Sequence, residues 1–125
     1  MTGARGFTLV EMMIVAAIVG LLIAIGVPAL LHSRIQANEV AALKDLRAAQ
    51  TDRAGMTITC QNPPTYLVGT QFGYVRGCSP GLYWARPEVQ GRTGIRGFGA
   101  DTAGRLCFTT DGSIPDMTGD CTLIR

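Results

Sequence analysis

The sequence predicts an α+β protein: one long N-terminal α-helix, apolar in its first half and amphipathic in its second, packed on a small antiparallel β-sheet head with two disulfides. Three observations predict it. The twenty residues from Met12 to Leu31 carry no charged side chain, and a helical stripe of apolar residues follows them. Residues 55–125 then hold 12 of the 16 glycines, five of the six prolines and all four cysteines.

The composition limits the classes of protein that fit. Apolar residues make up 47% of the 125 residues, which excludes a mainly disordered chain. A net charge of +2 is too balanced for a dedicated nucleic-acid binder. One histidine and no clustered cysteine–histidine pattern leave little for catalysis or metal binding. We therefore predict no enzymatic activity, no cofactor and no metal site.

The uncharged segment has the length of a membrane span. Twenty helical residues extend about 30 Å, the thickness of the hydrocarbon core of a bilayer. Pro28 interrupts the apolar run and removes the hydrogen bond to the carbonyl of Ala24, so a kink or local loosening is expected there.

The helical period continues beyond the apolar segment. At 100° per residue, one arc of the helix holds Ile35, Ala42, Leu43, Leu46 and Ala49. Gly55 is a plausible C-terminal stop, which predicts a helix from Phe7 to about Ala54. We expect this apolar stripe to pack on the head, because residues 55–125 are otherwise short of a core.

Short candidate strands recur in the head, separated by glycine and proline. They are Met56 to Cys60, Phe72 to Arg76, Leu82 to Ala85, Gly97 to Gly99, Arg105 to Thr110 and Cys121 to Ile124. Asp111-Gly112, followed by Ser113-Ile114, is a hairpin turn signal. The pattern favours an antiparallel sheet lying on the amphipathic half of the helix.

Glu11 is the anomaly of the N-terminus, because it places a carboxylate inside an apolar segment. Such a residue usually has a partner, yet no basic residue follows until His32, and Arg5 is six positions away. A cut after Gly6 would create an α-amino group on Phe7, a cation near Glu11 at the start of the helix. Glu11 could then pair with its own amine or with that of a neighbouring molecule; alternatively, it is solvated at the headgroup level.

Three interpretations of the N-terminus compete. The first is a secretory signal cleaved after Ala29, and the second is a plain single-span anchor. The third depends on the motif Arg5-Gly6-Phe7-Thr8-Leu9-Val10-Glu11, followed by Met12-Met13-Ile14-Val15 and the apolar run through Pro28-Ala29. This stretch resembles the N-terminus of type IV pilin precursors, in which a short leader ends in glycine before Phe-Thr-Leu-(Ile/Val)-Glu.

The resemblance implies how the chain is processed and assembled. It implies a leader over residues 1–6, removed after Gly6 by a prepilin peptidase that also N-methylates Phe7. It implies a helix over residues 7–54 with a membrane and filament-core segment at 7–31, and a head at 55–125. Glu11 would neutralise the Phe7 amine of an adjacent subunit, and Pro28 matches the helix-breaking proline of the family.

The function implied is that of a structural subunit of a type IV pilus. Its partners would be further copies in a helical filament, the inner membrane before assembly, the peptidase and the assembly platform, with no specific nucleic acid. The head would lie outside the cytoplasm and later on an extracellular pilus. A minor pilin or a type II secretion pseudopilin is the close alternative, and a secreted soluble binding domain cleaved after Ala29 is a more distant one.

The four cysteines allow three pairings. Beyond an inner-membrane anchor the compartment is oxidising, which favours disulfides over free buried thiols. We expect Cys60 to pair with Cys78 and Cys107 with Cys121, the two local loops; the second resembles the disulfide-bounded C-terminal loop of many pilins.

Two further clusters invite a ligand but have simpler explanations. The head contains five arginines near Tyr83 and Trp84, at positions 76, 86, 92, 96 and 105, which could favour nucleic acid or phosphate. Neighbouring acidic residues dilute that charge, so contacts between subunits are favoured. Asp111, Asp116 and Asp120 could suggest calcium, but their spacing matches no calcium loop, and a solvated loop is expected.

Overall fold

The structure is a computed structural model that describes residues 6–52, 58, 60–61, 63–119 and 121–124. Helix α1 spans Leu9–Asp52, and a 3₁₀ turn follows at Thr65–Leu67. Six strands complete the chain: β1 Gly69–Gln71, β2 Tyr74–Ser79, β3 Leu82–Pro87, β4 Gly97–Asp101, β5 Leu106–Thr109 and β6 Thr122–Ile124.

Helix α1 begins two residues after the predicted start at Phe7 and ends at Asp52. The predicted end at Ala54 and the stop at Gly55 lie outside the described residues. The helix continues through Pro28 without interruption, so the loss of one backbone hydrogen bond does not end it here.

The chain divides into two compact units, with the boundary between His32 and Ser33. In the first unit, every described residue from Gly6 to His32 is exposed. An exposed apolar surface of this extent marks a region that contacts lipid or other protein.

The second unit contains the amphipathic half of α1 and the sheet. The predicted apolar stripe is confirmed: Ile35, Ala42, Leu46 and Ala49 are buried, and Leu43 is partly buried against the same core. These side chains pack with aromatic and aliphatic residues of the sheet, among them Leu67, Tyr74, Tyr83, Phe98 and Leu106. The second half of the helix therefore supplies one side of the core of the head.

The sheet is a six-stranded antiparallel meander with strands in sequence order. The α+β prediction is confirmed, but one strand was missed and one was displaced. Gly69–Gln71 forms β1, whereas Phe72 belongs to the β1–β2 turn. The predicted strand Met56–Cys60 lies largely outside the described residues, and neither Ile58 nor Cys60 is in a strand.

Strand β4 is buried along its whole length, because both faces of the sheet are covered there. Helix α1 covers one face, and residues 113–117 cross the other. Gly97 and Gly99 allow this close approach: a Cβ on Gly97 would overlap the carbonyl of Ser113, and one on Gly99 would lie 3.2 Å from Pro115.

The hairpin predicted at Asp111-Gly112 is wrong in one respect. The chain does reverse there, with Gly112 at φ +72, but Ser113-Ile114 is not a strand. The Ser113 carbonyl accepts a hydrogen bond from Thr109 Oγ1 at 2.8 Å, and Pro115, which has no N–H, is buried. The segment therefore packs on the sheet instead of pairing at its edge.

The expected cysteine pairing is confirmed. Cys60 is bonded to Cys78 and Cys107 to Cys121, with Cα–Cα distances of 5.6 and 5.5 Å. The first disulfide ties the chain segment after the helix to β2. The second joins Cys107 of β5 to Cys121 and so closes a loop at the C-terminal end of the chain.

Candidate functional site

The start of helix α1 is closed by a pair of reciprocal hydrogen bonds between Thr8 and Glu11. The backbone N–H of Glu11 donates to Thr8 Oγ1 at 3.2 Å, and the backbone N–H of Thr8 donates to Glu11 Oε2 at 3.4 Å. The Thr8 hydroxyl also lies 3.3 Å from Glu11 Oε2. This is a capping box, which satisfies two donors that the first helical turn would otherwise leave unpaired.

The capping box uses only one of the two Glu11 carboxylate oxygens. Among the residues that the structure describes, none donates a hydrogen bond to Oε1. The carboxylate is also exposed at the helix N-terminus, where the backbone dipole favours negative charge. Within the described residues, Glu11 is therefore held by Thr8 through Oε2, and Oε1 has no hydrogen-bond donor.

Sequence reasoning missed the role of Thr8, although the signal was present. Thr8-Leu9-Val10-Glu11 has the Ser/Thr-x-x-Glu spacing of a capping box directly before an apolar run. The partner of Glu11 is therefore a neutral hydroxyl and a backbone N–H, where the sequence analysis predicts a cation. Gly6 and Phe7, the predicted cleavage and methylation positions, are exposed just before the cap, and Phe7 has 76% of its surface accessible.

In the second unit, helix α1 is fixed to the β3–β4 loop by its own polar side chains. Glu39 Oε1 accepts the backbone N–H groups of Ile95 and Arg96 at 3.0 and 3.2 Å. Asn38 Nδ2 donates to the carbonyl of Thr93 at 2.9 Å. Two adjacent helical residues therefore hold one loop of the head by its backbone.

Tyr74 holds the same loop from the sheet side. Its hydroxyl donates to the carbonyl of Arg96 at 2.8 Å, and its ring is fully buried. Burial raises the pKa of the Tyr74 hydroxyl well above its ordinary value, the negative charge of Glu39 raises the pKa further, and Arg96 opposes the shift. This hydroxyl therefore serves as a neutral hydrogen-bond donor inside the head.

The predicted arginine cluster does not form one surface. Arg76 is buried against Asp45, and Arg105 donates from Nε to Asp101 at 2.6 Å. Arg96 lies over the ring of Phe108, 5.2 Å from its centroid. Three of the five arginines therefore have partners within the second unit.

The acidic C-terminal residues stabilise turns. Asp111 accepts bonds from the backbone and hydroxyl of Ser113, and these bonds lower the pKa of Asp111. Asp116 does the same with Thr118, which lowers the pKa of Asp116. Asp120 lies outside the described residues, and within the described ranges no group of three or more His, Cys, Asp or Glu is placed to hold a metal ion.

Helix α1 is long and apolar enough to cross a membrane, by length and composition. None of the apolar window that meets this criterion is buried inside the protein. A signal sequence near an N-terminus would meet the same criterion, so the distinction depends on the motif at the start of the helix.

The first unit is thus an exposed helix of membrane length that begins at Leu9, within the Thr8–Glu11 capping box. Over residues 1–27 the sequence matches the family model described as the prokaryotic N-terminal methylation motif, the hallmark of type IV pilin-like prepilins. Comparisons with curated proteins and with solved structures found no match for the chain.

The match supports a type IV pilin-like or pseudopilin precursor. Proteins with this motif are structural subunits, not enzymes. The motif implies processing by a prepilin peptidase and assembly into a pilus-like filament. Together with the apolar helix, it fits an inner-membrane anchored precursor that is later assembled into a surface filament.

Proposed function

We propose that the chain is a structural subunit of a type IV pilus, without enzymatic activity. Its leader ends at Gly6, a prepilin peptidase cuts after this residue, and Phe7 is N-methylated. The helix then leaves the inner membrane and joins the apolar core of an extracellular filament, with the head on the outside. The observation that carries the proposal is the methylation motif at the start of an exposed apolar helix.

The capping box supports a specific role for Glu11 in assembly. Because Thr8 holds Oε2, the carboxylate has a fixed position, and Oε1 can accept the Phe7 amine of a neighbouring subunit. Apolar packing between helices is nonspecific along their axes. An ion pair in a low-dielectric core forms at only one axial offset between two helices and therefore stabilises that offset. Glu11 and Phe7 would thus set the axial register of the filament.

A minor pilin or a type II secretion pseudopilin has the same N-terminal motif and is the second candidate. Deletion of the gene separates the pilus subunit from the pseudopilin: loss of external filaments supports the pilus subunit, and a secretion defect without filament loss supports the pseudopilin. The third candidate is a secreted domain cleaved after Ala29. N-terminal sequencing of the mature protein decides this, because Phe7 as the first residue supports the proposal and Leu30 would overturn it.

Two variants separate the charge of Glu11 from its capping role. Glu11→Gln keeps a side-chain acceptor at the third helical position, which suffices for a capping box, but removes the charge. Thr8→Ala removes the cap hydroxyl and keeps the charge. In cells that lack the wild-type chain, we expect Glu11→Gln to insert and be cleaved yet yield few filaments. Thr8→Ala should still assemble, because the backbone N–H of residue 8 remains as a donor to Oε2 and the charge of Glu11 is kept. Normal filament yield from Glu11→Gln would remove the role given to its charge.

A further inference from the structure

Phe72 differs from every other aromatic residue of the head in its exposure and its backbone. It has 65% of its surface accessible, whereas the other aromatic side chains of the head are buried or half-buried. It also has φ +50 in the two-residue turn that joins Gln71 to Tyr74, with Gly73 at φ +70. Such a turn favours asparagine, aspartate or glycine, so a phenylalanine there is strained and exposed together. The Arg76 guanidinium lies over one face of the ring, 5.9 Å from its centroid, yet most of the side chain stays exposed. A strained and exposed aromatic side chain points to a contact outside its own subunit.

A matching apolar groove lies at the other edge of the sheet. It has a volume of about 200 Å³ and lies between helix α1 and strands β4 to β6. A dry cavity of about 150 Å³ lined by apolar side chains accommodates a benzene ring, so the groove has room for one phenyl ring. The apolar walls are formed by Val40, Leu43, Phe98, Phe108 and Ile124.

Phe72 and the groove lie on opposite edges of the head at one level along the helix. Phe72 lies in the turn between β1 and β2, and Ile124 belongs to β6, four to five strand spacings away, which is roughly 19–24 Å at about 4.8 Å per strand. Asn38 lies beside Gly73, the neighbour of Phe72, since a Cβ on Gly73 would be 3.3 Å from Asn38 Nδ2, and Glu39 borders the groove. Asn38 and Glu39 are adjacent in the helix and differ by only about 1.5 Å along its axis, so Phe72 and the groove lie at nearly the same height. Two heads placed side by side can therefore bring Phe72 of one to the groove of the other.

We propose that Phe72 of one copy of this chain inserts into the groove of the next copy. A projection and a recess on different surfaces of one chain make a head-to-tail contact, which propagates into rings or open helical filaments. Charge complementarity supports the pairing: Glu88, whose N–H donates to the Gly73 carbonyl at 2.9 Å, is next to the projection, and exposed Arg96 borders the groove. Glu39 also lines the groove, but its Oε1 already accepts the backbone N–H groups of Ile95 and Arg96. The inference rests on the proposed function, because it adds a contact between heads to an assembly driven by the helices.

Photo-crosslinking in the cells that make the protein tests the contact directly. Benzoylphenylalanine replaces Phe72 in the full-length chain, and the crosslinked peptides are mapped by mass spectrometry. We expect intermolecular crosslinks to peptides that contain Val40, Leu43 or Phe108. The matched control places the probe at Ile114, another exposed apolar residue of the head, and should not crosslink to those peptides.

Two substitutions test the contribution of the contact to assembly. Phe72→Asn removes the ring and suits the turn, and Val40→Asp places a charge in the exposed wall of the groove. Truncation of a buried aromatic anchor weakens an interface at least about tenfold, so both variants should lose filament yield while their heads unfold at wild-type temperature or above. Processing to Phe7 should be unchanged.

The outcomes separate this inference from the proposed function. Filaments that form normally from Phe72→Asn, or crosslinks from position 72 to another surface or another protein, would overturn the contact and leave the pilus proposal standing. A wild-type chain that begins elsewhere than Phe7 and forms no polymer would overturn the proposed function, and the contact with it.

Discussion

Asp45 and Arg76 join the helix to the sheet through a buried ion pair, with Asp45 Oδ2 2.7 Å from Arg76 Nη1. The arginine side chain is fully buried, and a quarter of the aspartate side chain is exposed. Nη1 also donates to the Tyr66 carbonyl at 3.1 Å and to Gln71 Oε1 at 3.0 Å, whereas Nε and Nη2 have no hydrogen-bond partner in the described part of the chain. The charge of Arg76 is thus neutralised by one partner.

We predict that Asp45→Ala destabilises the head by about 3–5 kcal/mol, because it leaves a buried guanidinium without a counter-ion. Replacing both partners, as Asp45→Ala with Arg76→Met, should recover much of that loss. Denaturant unfolding of the detergent-solubilised full chain, followed by Trp84 fluorescence, measures both. Lys44→Ala, on the exposed side of the helix, is the control. A cost for Asp45→Ala below about 1 kcal/mol would show that the pair behaves as a surface ion pair.

The glycines under the C-terminal segment give a second prediction. Gly97→Ala should destabilise the head by about 1–3 kcal/mol or more, since its methyl group would overlap a backbone carbonyl, which cannot rotate away. Gly119→Ala, where a methyl group meets nothing within 4 Å, should have little effect. The same unfolding assay compares the two, and equal stabilities would contradict the packing of residues 113–117 on β4.

The turn at Phe72 gives a third prediction, which concerns the stability of the subunit and is independent of assembly. Phe72→Asn should stabilise the head by about 0.5–1 kcal/mol, because relief of about 1–2 kcal/mol of left-handed strain exceeds the contact of the ring with Arg76. Gly73→Ala should do the opposite, since its methyl group would lie 2.6 Å from Thr93 Cβ at a φ of +70. Thermal unfolding measures both, and a lower midpoint for Phe72→Asn would show that the phenyl ring supports its own subunit.

The parts of this fold that were predictable are those that local pattern determines. The stripe through Ala42 and Leu46 was predictable because helical period alone decides which residues share a face. The capping pair of Thr8 and Glu11 is equally local, because the Thr-x-x-Glu spacing alone brings the two side chains together at the first helical turn.

Other features depend on partners distant in sequence. Strand Gly69–Gln71 is fully exposed, has no alternating pattern, and exists because β2 offers a free edge. Arg76 looked like one surface charge among five, and only the approach of Asp45, 31 positions earlier, permits its burial. The turn at Asp111-Gly112 was predictable. A loop follows it instead of a strand, because Gly97 has no side chain where Ser113 packs on the sheet and Pro115 has no N–H for strand pairing.

Tyr74 makes the stability of the head depend on pH in the alkaline range. Burial and Glu39 raise the pKa of Tyr74 in the folded state, whereas in the unfolded chain it is about 10. The folded state therefore holds the Tyr74 proton more tightly than the unfolded state does. The resulting contribution to the free energy of unfolding is complete below about pH 10 and is lost as pH rises above it, by at most about 1.4 kcal/mol per pH unit.

Tyr74→Phe should cost about 1 kcal/mol at neutral pH through the lost hydrogen bond to Arg96. Unfolding curves measured on both sides of about pH 10 should then show the wild type losing its advantage over Tyr74→Phe. A gap between the two proteins that stays constant through this range would mean that the Tyr74 hydroxyl ionises in the folded head as readily as in water.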